Sequence, residues 1–238
     1  MDWKIDQYQF ITTEDGSPSL AFVAEDGYQE AMHNRHGAFS ETCYIYEPSI
    51  VAPKSWNRPP KILSVGLGAG YNELLSLAHY GESSTGTIIS TEANPELRQH
   101  FASYGLDQPL PESFKDCYDR ITELCATQAG TSPAALKSAL KRWLEDDRLQ
   151  LLGPVEEIEP IEPCNVILYD AFSGRMNRHL WEEDFLAQFL TKWASTPCAL
   201  STYAATGNLK RAIKANGFEL QDKPGFAGKR QSTFALKQ

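Results

Sequence analysis

Four short, almost wholly apolar runs recur along the chain: KILSVGL (61–67), GTIISTEA (86–93), NVILYDAF (165–172) and PCALSTYA (197–204). A strand without a polar face is one buried on both sides, which is the condition of a parallel sheet covered by helices. Between the runs lie AGYNELLSLAHYG (69–81), NPELRQHFASYG (94–105), SPAALKSALKRWLEDDR (132–148) and LWEEDFLAQFLTKWAS (180–195). Each carries apolar residues three and four apart, the helical period. Alternation of this kind builds βαβ units, so the sequence predicts an α/β fold around a mostly parallel sheet. A further helix is expected over GNLKRAIKANGF (207–218), closed by Gly217. The last segment turns at Pro224 and Gly225 and predicts a C-terminal antiparallel hairpin at the sheet's edge.

At 238 residues the chain suits one domain spanning 1–238. Its front segment, 1–58, has turn signals at Asp15-Gly16 and Asp26-Gly27 and predicts a hairpin or lid over the sheet's carboxyl edge. Residues 106–150, long and polar, read as a helical insertion rather than core. Cys43, Cys117, Cys125, Cys164 and Cys198 are odd in number and never spaced as C-x-x-C, so they suggest buried thiols, with no disulfide framework and no metal site. No stretch approaches the roughly 18 apolar residues of a membrane span, and MDWKIDQYQF lacks the pattern of a signal peptide. A cytoplasmic protein with no membrane partner is the expectation.

Chemistry concentrates where the first apolar run ends, at LSVGLGAGYNELL (63–75). A strand, a glycine turn and a helix can hold a dinucleotide, a phosphate, a sulfonium nucleoside or nothing. The dinucleotide spacing G-x-G-x-x-G requires its third glycine at position 71, where Tyr71 stands. What is present is Gly66, Gly68 and Gly70, the G-x-G-x-G spacing that resembles the cofactor turn of Rossmann-like class I S-adenosylmethionine-dependent methyltransferases. Glu92 ends the next strand, where a carboxylate can accept from both hydroxyls of a ribose. Asp170 ends the run NVILYD and is expected to face the same crevice, since ligands of open α/β sheets bind at the carboxyl ends of the strands. Its blander reading is a helix cap.

Together EDGSPSLAF, HNRHGAFSE, VGLGAGYNELL, STEANP, YDAFSGRMNRHLWEEDFL, STYAATGNLKRAIKANGF and PGFAGKR resemble, in this order, the methyltransferase domain of the bifunctional tRNA wobble-uridine protein MnmC and its stand-alone relatives. The resemblance implies S-adenosyl-L-methionine as cofactor, held by Gly66, Gly68, Gly70, Asn72 and Glu92, with Glu41 shaping the lid side. It implies that Asp170 lies beside the amine that receives the methyl group, with His33, Phe172, Lys229 and Arg230 on the substrate side. The reaction implied is methylation of 5-aminomethyluridine, often 2-thiolated, at the tRNA wobble position. One departure from the family is Pro154, which stands where an Asp near the adenine is usual; Glu156, Glu157 or packing alone are the alternatives.

A net charge of -9 argues against nonspecific nucleic-acid binding and against DNA as a partner. From Tyr203 onward, however, seven Lys or Arg stand against two acids, and Lys210, Arg211, Lys214, Lys223, Lys229 and Arg230 are the candidate tRNA contacts. Two other readings remain open: an enzyme of the same fold that methylates a small-molecule amine, and a noncatalytic binding relative. The second is disfavoured because a dead site has no need of the glycines, Glu92 and Asp170 together.

Overall fold

The computed structural model describes residues 4–228 and 231–238. The front segment forms a separate antiparallel sheet of β1 (Tyr8–Thr12), β2 (Pro18–Val23) and β3 (Gln29–Ala31), in that order. Its two reversals fall at the Asp-Gly pairs, where Gly16 and Gly27 take positive φ. A helix that the sequence reading did not contain follows, α1 (Ala38–Ser55). It was hidden by Pro48 and Pro53, which ordinarily end helices because they lack an N–H for the carbonyl four residues back. The carbonyl of Tyr44, left without its partner at Pro48, instead accepts from Lys223 Nζ at 2.5 Å. The other end of α1 is held by the β1–β2 turn. Thr13 Oγ1 accepts from Ala38 N at 3.1 Å, Ser17 Oγ from Phe39 N at 3.0 Å and Asp15 Oδ2 from Ser40 N at 3.1 Å, satisfying N–H groups that a helix start leaves unpaired.

The remaining elements are β4 (Lys61–Val65), α2 (Tyr71–Tyr80), β5 (Thr87–Thr91), α3 (Pro95–Gly105), α4 (Glu112–Ala129), α5 (Pro133–Glu145) and β6 (Leu149–Leu152). After them come β7 (Cys164–Tyr169), α6 (Glu183–Trp193), β8 (Ala194–Thr202), α7 (Gly207–Ala215), β9 (Glu219–Gln221) and β10 (Thr233–Lys237). The seven-stranded sheet has the order β6-β5-β4-β7-β8-β10-β9. Strands β4 to β8 run parallel, and β10 pairs antiparallel with both β8 and β9, as the expected C-terminal hairpin requires. Alternation along the strands sorts the core into two faces. Ile62, Val166 and Leu168 pack toward α1 and α2, while Leu63, Ile167 and Tyr169 pack toward α6 and α7.

Residues 106–150 hold α4 and α5 and run into β6, which pairs with β5, and the two helices do not decorate the surface as their polarity suggested. Phe114, Cys117, Tyr118, Ile121 and Cys125 form one buried stripe on α4, and Leu136, Ala139, Leu140 and Trp143 form another on α5. Trp143 Nε1 donates to Gly81 O at 3.1 Å, so the pair of helices is bonded to the end of α2. A half-polar helix is what one buried stripe produces. Among the described residues no helix is long and apolar enough to cross a membrane.

One buried acid in this core gives a test of the packing. Glu73 on α2 is fully buried; its Oε1 accepts from Ser90 Oγ at 2.6 Å, and its Oε2 has no partner among the described residues. Burial pushes its carboxyl up to about 7. Because the folded value lies above the free one, stability is fully present below the free value and falls as pH rises through 7, by up to about 3 kcal/mol. Glu73→Gln is therefore expected to melt with the wild type near pH 4.5 and progressively above it toward pH 8. Melting temperatures across that range measure this, and a pH-independent difference would contradict it.

Candidate active site

Strand β4 pairs with β5 on one side and with β7 on the other, so the chain leaves its carboxyl end in two directions and a crevice opens there. Val65 lies opposite Tyr169, which makes Gly66 and Asp170 neighbours, and Asp170 N donates to Val65 O at 2.9 Å. Gly66 has φ +92, and a Cβ there would stand 2.5 Å from the Asp170 carbonyl oxygen. Only glycine allows that approach. The turn and the carboxylate that the sequence placed at one edge therefore do share it.

The turn differs from a phosphate cradle in how its N–H groups are used. Gly66 N and Leu67 N both donate to Thr91 O, Gly70 N donates to Leu67 O, and Gly68 N donates to Glu92 Oε2 at 3.2 Å. Four donors that a pyrophosphate would need are spent inside the protein. Toward the cavity the turn presents Gly66 and Gly68 beside the Glu92 carboxylate. Tyr71, in the place of the missing third glycine, is buried and donates to Pro18 O at 2.6 Å, which ties α2 to the front sheet.

Asp170 is enclosed. Tyr46 Oη donates to its Oδ1 at 2.5 Å, and Asn72 Nδ2 donates to its Oδ2 at 3.3 Å. Burial raises the carboxyl to about 7, helped by the nearby charges of Glu41 and Glu73 and opposed by the two hydrogen bonds. It caps no helix, since a 3-10 turn at Arg178–Trp181 precedes α6 and Glu182 stands at the α6 N-terminus. Asn72 thus touches Asp170 as well as the cavity, and its own Oδ1 is buried with no hydrogen-bond partner among the described residues.

A cavity of about 500 Å³ is lined by Gly66, Gly68, Asn72, Glu92, Asp170 and Phe172, and by Glu41 and His33 from the front segment. Gly70 is not on that wall; its φ is +78, and a Cβ there would strike the Phe101 ring at 2.3 Å, so it shapes the turn from below. Glu41, in the first turn of α1, is buried and its Oε2 accepts from Asn34 N at 2.6 Å. His33 is hydrogen-bonded through Nδ1 to Ser19 Oγ at 2.8 Å and meets Tyr71 edge-on at 4.9 Å; burial pushes it down to about 4, leaving a neutral imidazole. Lys229 and Arg230 lie outside the described residues.

Sequence reasoning missed Tyr46, Tyr203, Met32 and Glu30, which also line the cavity. Glu30 on β3 accepts from Ser173 N at 3.0 Å and Ser173 Oγ at 2.9 Å, joining the front sheet to the loop after β7. Tyr46 follows Glu41 on the helix that the prolines disguised, so only a correct assignment of α1 would have found it.

Glu92 also borders a second, smaller cavity of about 300 Å³, which contains Pro154, Val155, Glu156 and His179. Glu156 Oε1 lies 3.0 Å from His179 Nε2. Four carboxylates (Glu30, Glu41, Glu92 and Asp170) thus line the main chamber, and a buried amide oxygen stands beside it. An acceptor-rich wall of this kind fits a ligand that is cationic and carries hydroxyls and an ammonium, as S-adenosylmethionine does.

Gly66→Ala is expected to lower stability by about 1–3 kcal/mol, from the positive φ and the contact with the Asp170 carbonyl. Urea midpoints measure it. A variant as stable as the wild type would mean that the two strand ends are not held in contact.

The chain is 26% identical over 238 residues to the tRNA 5-methylaminomethyl-2-thiouridine biosynthesis bifunctional protein MnmC of Aromatoleum aromaticum, covering 95% of this chain and 35% of that protein. A further relative is an uncharacterized protein of Methanocaldococcus jannaschii, 27% identical over 233 residues, covering 98% of this chain and 60% of that one. The chain spans about a third of the length of the bifunctional relatives it matches. The crystal structure of MnmC2 from Aquifex aeolicus shares the fold, with a TM-score of 0.66 at 23% identity over 97% of this chain and 70% of that one. The family model described as S-adenosyl-L-methionine-dependent methyltransferase matches residues 109–238, more than half of the chain. The chain therefore belongs to the S-adenosyl-L-methionine-dependent methyltransferases.

Proposed function

We propose that this methyltransferase transfers a methyl group to the primary amine of 5-aminomethyluridine, with or without 2-thiolation, at the wobble position of tRNA, giving 5-methylaminomethyluridine. The observation that carries the reading is the Asp170 carboxylate, half-buried against the glycine turn and clamped by Tyr46 and Asn72. It is supported by the likeness, over almost the whole chain, to the MnmC of Aromatoleum aromaticum.

When bound, S-adenosylmethionine supplies a methyl group already activated by its sulfonium. The residues of this chain then have three tasks. Gly66 and Gly68 let the ligand approach the backbone, and Glu92, facing both cavities, is the acceptor for its ribose. Glu41 and the orphan Asn72 Oδ1 are acceptors for donor groups inside the main chamber. Phe172 and His33 wall the substrate side, where a neutral His33 brings no charge to repel a cationic amine.

Asp170 handles the proton. An alkyl amine is protonated at neutral pH and has no lone pair to offer. A carboxylate whose proton affinity is raised to about 7 can take that proton first; the freed nitrogen lone pair then forms the N–C bond as the C–S bond breaks, its electrons leaving with sulfur as a neutral thioether, and the proton stays on Asp170. Tyr46 holds Oδ1 in place, so the base has a fixed orientation.

Turnover at saturating substrate is expected to rise as pH increases through about 7, because the active form is the carboxylate. Asp170→Asn should remove that inflection and lower turnover by about 10²–10⁴-fold, while calorimetry still shows cofactor binding. Equal loss of both would make Asp170 a structural residue. For the substrate, tRNA carrying 5-aminomethyluridine should gain one methyl at that nucleoside, read by mass spectrometry of the digested RNA. Methylation of small amines with no change in the tRNA would establish the small-molecule reading instead.

A further inference from the structure

We infer that the RNA backbone is gripped at the mouth of the cavity by two arginines, Arg35 and Arg175, and not by Lys210, Arg211 and Lys214 of α7 or by Lys223; this rests on the tRNA reading above. Among the described residues, the C-terminal cations that composition singles out are occupied or turned away. Lys223 Nζ is folded onto Tyr44 O and Ile45 O, where it replaces the hydrogen bond lost at Pro48, and burial pushes it down to about 8. Arg211 is paired with Glu183 at 2.6 Å and with Asn208 at 2.7 Å, and Lys210 donates to Gln231 at 2.6 Å. Helix α7 starts at the carboxyl end of β8 and runs back along the sheet, so Lys214 lies about 10 Å down the helix axis from Gly207. A polyanion delivering a base to Asp170 would have to reach around the fold to meet it.

Arg35 lines the opening, and Arg175 stands two residues beyond Ser173, which lines it too. Arg35, in the loop between β3 and α1, lines the mouth with its side chain 81% exposed; among the described residues its charged contact is with Glu14, 3.8 Å long. An exposed pair of that length is weak and yields readily to a phosphate. Arg175 follows Ser173, another mouth residue, and its guanidinium lies 3.6 Å above the Tyr28 ring. Stacking uses the face of a guanidinium and leaves its edge N–H groups free for phosphate oxygens. Tyr28 Oη donates to Glu30, which also accepts from Ser173, so the platform under Arg175 is fixed to both sides of the mouth. Two guanidiniums near one opening suit the phosphates next to a nucleotide whose base enters it. In an acidic chain, two such contacts give positioning in place of a broad basic face.

The test is binding of an in vitro transcribed tRNA to the full chain by fluorescence anisotropy over a range of salt, for wild type, Arg35→Gln, Arg175→Gln and Lys214→Gln. Each arginine variant should weaken binding on the order of fivefold near 0.1 M salt and reduce the slope of log affinity against log salt by about one. Lys214→Gln should change neither. Unaltered melting curves verify that the variants are folded. If the wild type binds with a salt slope that only Lys214→Gln reduces, or that none of the three reduces, the inference is overturned and the tRNA reading stands. If the wild type binds no tRNA while retaining the cofactor, the tRNA reading itself fails and takes this inference with it.

Discussion

The close approach of Gly66 to the Asp170 backbone is the contact on which the site depends. At most positions two parallel strands diverge where their connections leave in opposite directions. Here the absent side chain lets the turn after β4 touch the end of β7. A ligand lying on the glycine surface is then beside the Asp170 carboxylate with no intervening chain. Gly70 serves the same end from the other direction, leaving room for Phe101 beneath the turn.

Electrostatics make the chamber costly and useful at once. Asp170, Glu92, Glu41 and Glu73 are gathered near one turn, and burial holds Asp170, Glu92 and Glu73 above their ordinary proton affinities. Backbone donors at Gly68 and Asn94 offset part of that cost for Glu92, and Tyr46 and Asn72 do so for Asp170. What is left is a concentration of acceptors facing a cavity, an arrangement that a cationic ligand relieves. Glycine turns that hold phosphates do the opposite, presenting free N–H groups to an anion.

Legibility in the sequence followed the range of each interaction. Strands β4, β5, β7 and β8 could be read because double-sided burial leaves continuous apolar runs. The turn could be read because its spacing is local, as could the placement of Glu92 and Asp170 at strand ends. Helix α1 could not, because what rescues it at Pro48 is Lys223, distant in sequence. The same distance hid Tyr46 and turned a presumed RNA contact into an internal support. The helices of 106–150 were visible as helices, but polarity concealed that each buries one stripe against α2 and α3.

By itself, then, the sequence determined the α/β class, the four central strands β4, β5, β7 and β8, the glycine turn and the identity of the carboxylates that end its strands. These are properties of periodicity and of residues a few positions apart, which survive without knowledge of packing. Only the tertiary structure decided which donors the turn keeps for itself, that Tyr46 clamps Asp170, and which cations remain available at the mouth. Each of those depends on side chains brought together from separate elements, whose hydrogen bonds and desolvation do not exist until the sheet, α1 and the front strands are packed.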